Sequence, residues 1–196
     1  MRTGRLEAFS DGVLAIVITI MVLELKAPED TTFQSLLSVA PVFISYVLSF
    51  IYIGIYWNNH HHLFQISHKV NGSVLWANLH LLFWLSLIPF TTSWLGENEH
   101  YYEALPVATY GFVLLMSAVA YFILERTLIK NHDKDYLLAR LIVYKVKDYV
   151  STALYIIAIP LAFVYTWLAI VCYAIVALIW LMPDKKMETL IDEVEV

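Results

Sequence analysis

Charge is scarce in this chain and cysteine almost absent, and each shortage removes a class of protein. Acidic and basic residues together make up 15% of the 196 positions, against about a quarter in an ordinary soluble domain. With 60% of its residues hydrophobic and a mean hydropathy of +0.69, the chain is too apolar for a soluble domain of its size and reads as an integral membrane protein. Its formal charge of −5 comes from acidic residues spread over loops and the segment Met187 to Val196, so no basic surface is offered to nucleic acid. The single cysteine, Cys172, lies in the middle of an apolar run. It excludes a disulfide within the chain, argues against a cysteine-based metal site, and reads as a small buried apolar side chain.

Signatures of chemistry are missing as well. There is no nucleophile elbow, no P-loop, and no carboxylate pair in an apolar setting beyond the isolated Asp11 and Glu24, so neither an enzyme nor a cofactor is indicated. A selectivity filter of backbone carbonyls needs something like a TVGYG loop on a short re-entrant helix, and neither is present; any pore must be lined by side chains. The KAPEDTT that follows Leu25 lacks the small-x-small cleavage pattern, which makes the first apolar run a retained anchor rather than a secretory signal.

What is present begins with Arg5 to Leu25, RLEAFSDGVLAIVITIMVLEL. At about 1.5 Å per residue this stretch is long enough to cross a bilayer core. On a helical wheel Ile16, Ile20 and Leu23 fall at roughly 0°, 40° and −20°, with Thr19 near −60° and Asp11 near −140°. Because a helix in lipid is apolar on every face, this geometry alone fits a packing seam as well as a pore wall.

These residues also carry a family resemblance. The pattern R-x-x-x-F-S-D at Arg5, Phe9, Ser10 and Asp11, continued by Ala15, Ile16 and Thr19, resembles the signature of the six-helix potassium channels of bacteria and lysosomes that lack a P-loop filter. Trp57 with His60, Asn78, and the run Pro89-Phe90-Thr91 extend the likeness along essentially the whole chain. The resemblance implies an all-α integral membrane protein with six spans per protomer. One copy of the motif points to the bacterial single-repeat type, a homotetramer, with helix 1 lining a central pore. It further implies that Ile16 forms the constriction, that Thr19 helps coordinate or select the cation, and that Ile20 and Leu23 continue a hydrophobic pore for potassium ions. Apolar rings of this kind gate by dewetting, because an ion that cannot keep its hydration shell meets a steep barrier.

Along the chain, apolar segments set spans at about 6–25, 36–57, 74–95 and 104–124, followed by an apolar block from Val150 to Met182. As one helix that block would be about 50 Å long, well beyond the hydrocarbon core. A break between Pro160 and Thr166 divides it into spans at about 148–163 and 166–182, ahead of an acidic tail at 187–196. With six spans and both termini cytoplasmic, all of the 12 basic residues except Lys26 fall inside; with five, Lys185 and Lys186 would move outside, so the positive-inside rule favours six. The outside loops would carry Glu29, Asp30, Glu97, Glu99 and Glu103, and the expected location is the cell (inner) membrane. The Asn71-Gly72-Ser73 glycosylation pattern would then face the cytoplasm and go unused.

Asp11 needs a separate reading. An ionisable group in a span is costly unless paired, so it is expected to face the bundle interior, with Arg5, His60 or Asn78 as its partner and Ser10 capping the helix start. Phe9 and Trp57 complete this structural network around helix 1. The competing function is a proton- or cation-coupled secondary transporter that uses Asp11, His60 and Asn78 as a midplane relay. A third reading takes the run His60, His61 and His62 as ligands of a metal or haem enzyme, but adjacent histidines on a helix point about 100° apart and no H-x-x-x-H spacing accompanies them. His68 follows at a loop distance.

Overall fold

The computed structural model describes residues 3–65, 67, 70–96, 102–130 and 146–181. Arg2, His68, Lys69, Glu97, Glu99, Lys134, Arg140, Lys145, Lys185, Lys186 and the tail 187–196, all used in the reading above, lie outside the described residues.

Eight helices are formed among the described residues: α1 Thr3–Leu23, α2 Phe33–Ser38, α3 Ala40–Gln65, α4 Gly72–Ser86, α5 Ile88–Gly96, α6 Ala104–Lys130, α7 Val146–Leu161 and α8 Thr166–Leu181. Four segments are long and apolar enough to cross a membrane: α1, α3, α4 together with α5 (Gly72–Gly96), and α6. The α7 and α8 helices have 16 residues each, about 24 Å at the helical rise.

Local chemistry sets the ends and the breaks. The Thr32 hydroxyl accepts the Ser35 N–H at 3.2 Å and opens α2, and the Asn71 side chain accepts the Val74 N–H at 3.0 Å and opens α4, both filling orphan donors of a first turn. The second span differs from the expected 36–57. It is preceded by the separate turn of helix α2, and α3 runs on to Gln65, since no glycine or proline interrupts Asn58 to Gln65 and the Asn59 side chain donates to the Ile55 carbonyl at 2.8 Å. The third span is broken at Leu87, two residues ahead of Pro89, whose missing N–H and ring cannot continue the α4 ladder. The apolar block after Asp148 turns over residues 162–165, where the Val164 and Tyr165 N–H groups both bond the Leu161 carbonyl, at 3.0 and 2.8 Å.

In the packing, α4 lies on α6, α7 pairs with α8 and rests on α6, and α1 lies against α3, α4 and α5. The centre is a tyrosine cluster that ties five helices together. Tyr52 donates to the Tyr173 carbonyl at 2.6 Å, Tyr155 to the Tyr52 hydroxyl at 3.2 Å, and Tyr173 to the Val107 carbonyl at 3.2 Å. Ser49 joins Thr92 at 2.6 Å and Tyr110 at 3.0 Å. Inside a bilayer apolar contact gives little net drive for helix association, so hydroxyl bonds of this kind and close packing hold the bundle.

Candidate functional site

The site is built on α1. Leu6, Ser10, Leu14, Val17 and Met21 are its buried residues, spaced four, four, three and four apart, so they form one seam that faces the protomer's own core. The opposite face is left uncovered. Ile16 is 61% exposed, Ile20 42% and Leu23 75%, and Thr19 is exposed between them. The Thr19 hydroxyl donates to the Ala15 carbonyl at 2.8 Å, which directs its proton back to the backbone and leaves the oxygen lone pairs on the open face.

At the seam, three buried polar side chains form a chain across α1, α4 and α3. The Asn78 amide nitrogen donates to the Ser10 hydroxyl at 2.9 Å, Ser10 donates to the Leu6 carbonyl at 3.0 Å, and the Asn78 oxygen meets His60 Nε2 at 2.8 Å. With that oxygen as acceptor, Nε2 carries the proton. Ser10 therefore does not cap the helix start; α1 begins at Thr3, and Ser10 lies two turns in, acting as acceptor for a neighbouring helix.

Asp11 is not in this chain. Its Oδ1 accepts the Trp57 indole N–H at 3.0 Å, on the exposed surface of the protomer, and none of Arg5, His60 and Asn78 is the partner in that bond. Neighbouring residues Ser10 and Asp11 point about 100° apart on a helix, so when Ser10 takes the interior, Asp11 is turned to the flank. Trp57 stacks on His61, with ring centroids 6.2 Å apart and planes 13° from parallel. His61 Nδ1 in turn meets the Glu7 carboxylate at 2.6 Å. Arg5 and Phe9 are exposed on α1. The motif residues thus form two separate sets, a buried one of Ser10, Asn78 and His60 and an exposed one of Asp11 and Trp57, extended by His61 and Glu7.

Glu7 escaped the sequence reading, although a signal for it exists. Glu7 and Asp11 are four residues apart, as are Trp57 and His61, so two i, i+4 pairs on adjoining helices meet rung by rung. The histidine run makes no common site: His60 turns to Asn78, His61 to Glu7, and His62 Nδ1 to the Gln65 side chain at 3.3 Å. Among the described residues no group of three or more His, Cys, Asp or Glu is placed to hold a metal ion.

Residues 5–89 match the family described as the endosomal/lysosomal potassium channel TMEM175. A potassium channel of Chryseobacterium sp. (strain P1-3) is 56% identical over 193 residues, covering 98% of this chain and 100% of that one. A potassium channel of Chamaesiphon minutus is 32% identical over 188 residues, 88% of this chain and 91% of its own length. The crystal structure of a lysosomal potassium-selective channel TMEM175 homologue from Chamaesiphon minutus superposes with a TM-score of 0.77 at 30% identity, covering 91% of this chain and 95% of that one.

Proposed function

The chain belongs to the TMEM175 family and is a potassium channel, and on that premise we propose that its pore is lined by α1 from each subunit of a homotetramer. The observation that carries this reading is the pair of opposed faces on α1. One seam is spent on the protomer's own core, while Ile16, Thr19, Ile20 and Leu23 remain exposed on the other side. Four such stripes around an axis make stacked apolar rings, with Thr19 oxygens between them able to replace part of an ion's water. The rings resist conduction by dewetting unless potassium sheds enough of its shell to pass. An easier shedding of water by potassium than by the smaller sodium ion gives the direction of selectivity.

In this reading α7 and α8 complete six spans per protomer, tilting no further than their short length permits, and both termini are cytoplasmic in the cell membrane. The Ser10, Asn78 and His60 chain and the Asp11 to Trp57 bond fix the orientation of α1, so that its stripe stays on the axis. The coupled-transporter reading needs Asp11, His60 and Asn78 in one relay, and the separation of Asp11 from the other two counts against it. Neither a cofactor nor a nucleic acid enters; the permeant potassium ion is the only small species required.

The test is ion flux into vesicles under imposed potassium and sodium gradients. Ile16→Trp is expected to block potassium flux, and Ile16→Asn to raise it or to admit sodium. Flux indifferent to residue 16, with dependence on proton coupling through Asp11, would reject the pore assignment.

A further inference from the structure

A cavity of about 370 Å³ opens between α3, α6, α7 and α8, on elements other than the proposed pore helix, and its size falls at the lower end for small-molecule pockets. We propose that it binds an amphipathic organic ammonium ion, with the charged nitrogen at Glu125 and Asp148 and the apolar body among Tyr56, Tyr121, Tyr155 and Trp180.

The lining is polarised along the helix axes. Glu125, Asp148 and Asn59 lie at one end, where α6 and α3 finish and α7 starts, while Tyr52 and Tyr155, both buried, close the other. Glu125 comes at the end of the apolar run of α6 and Asp148 in the first turn of α7, which places the acidic mouth at headgroup depth and the aromatic chamber in the hydrocarbon. An amphipath with a charged head and an apolar body fits that gradient, and the charged side chains among the described lining residues are the two carboxylates, which suit a cation.

The walls favour the same charge. Aromatic faces attract cations through their quadrupole, more so when water is excluded. On α6 the Arg126 guanidinium, outside the lining, sits 5.0 Å from the centroid of the ring of Phe122, a lining residue. Three polar atoms of the lining rings are bonded to other lining residues. The Tyr121 hydroxyl donates to the Asn59 carbonyl at 3.2 Å, the Trp180 indole to the Ser151 hydroxyl at 2.8 Å, and the Tyr155 hydroxyl to that of Tyr52 at 3.2 Å. These bonds hold the rings in place, so little ordering cost remains for a ligand. An alkyl or phenylalkyl ammonium gains from both carboxylates and rings, whereas a small hydrated ion gains little from the apolar chamber.

The full-length protein in nanodiscs of zwitterionic lipid tests this, with binding of phenylpropyltrimethylammonium measured by equilibrium dialysis against empty nanodiscs. The neutral isostere (4,4-dimethylpentyl)benzene, in which carbon replaces the nitrogen, serves as control. The expected result is saturable binding of the cation at one site per protomer and at least tenfold weaker binding of the isostere. The pair Glu125→Gln with Asp148→Asn is expected to weaken the cation by a similar factor, and Ala118→Trp, which fills the chamber, to abolish the saturable component. Equal binding of cation and isostere would show an apolar lipid-type cavity and overturn the proposal, as would the absence of saturable binding or its survival in Ala118→Trp. The comparison of the two probes on the native chain decides the matter even where a variant does not fold.

Discussion

Trp57 reaches from α3 to α1 and donates its indole N–H to the Asp11 carboxylate at 3.0 Å, on the exposed flank of the protomer rather than in its core. A charged acceptor strengthens a hydrogen bond, and partial exposure weakens it again, so its worth is about 1 kcal/mol. Trp57→Phe keeps most of the ring and removes the donor; it is expected to lower the thermal midpoint in detergent. Asp11→Asn keeps an acceptor oxygen and should cost less. A double-mutant cycle on the two positions reads their coupling directly, and a coupling energy of zero would show that the contact does not hold α1 against α3.

The buried chain is more sensitive. Asn78 serves Ser10 and His60 at once, and Asn78→Leu leaves both partners without their bond in a medium that offers no replacement. The expected loss is about 1–3 kcal/mol, larger than that of Ser10→Ala, which removes a single interhelical bond. Unfolding in a graded denaturing detergent, followed by helicity, orders the two variants; equal losses would contradict the double role given to Asn78.

Much of the architecture was legible in the amino-acid sequence. The four long apolar segments and the break before Thr166 follow from hydropathy and from the length of a bilayer, whereas Ile16, Thr19, Ile20 and Leu23 are singled out by the family resemblance, since on the wheel alone their stripe fits a packing seam as well as a pore wall. Asp11 was not legible in the same way. Residues 11 and 17 are about 120° apart on a helix, so the direction of the core seam settles that Asp11 lies on the flank, but every face of α1 is apolar enough to be that seam. The rule that a charge in a span turns inward then misdirects, because a tryptophan on the next helix supplies the donor at the surface instead. By sequence the second span reads as ending at Trp57 for a related reason. Asn58 to His62 looks like a loop by polarity, yet each of His60 and His61 finds a partner on another helix. The tyrosine centre and the aromatic cavity depend on pairings between residues far apart in the chain, from 29 positions for Ser151 and Trp180 to 121 for Tyr52 and Tyr173, which no local pattern records.

Close packing sets a further outcome. A Cβ added at Gly111 on α6 would coincide with the hydroxyl end of the Tyr173 ring, and that ring is buried and bonded to the Val107 carbonyl. Gly111→Ala is therefore expected to destabilise the α6 to α8 contact by about 1–3 kcal/mol. Shortening the opposing side chain with Tyr173→Leu in the same chain should make the second change less costly than it is alone, a non-additivity seen by comparing melting of the single and double variants. Strict additivity would mean that the two residues do not meet.

The claim that α1 lines the pore is tested most directly by thiol modification during conduction. Cys172 is the only cysteine, so Cys172→Ala gives a background without thiols in one step. Single cysteines at Ile16, Thr19, Ile20 and Leu23, compared with Leu14 and Val17 on the buried seam, are exposed to a charged, membrane-impermeant methanethiosulfonate reagent while potassium current is recorded. The account predicts irreversible block at the four stripe positions, fastest where the reagent reaches first, and no effect at Leu14 or Val17. Block at the seam positions with none at the stripe would place the conduction path elsewhere and contradict it.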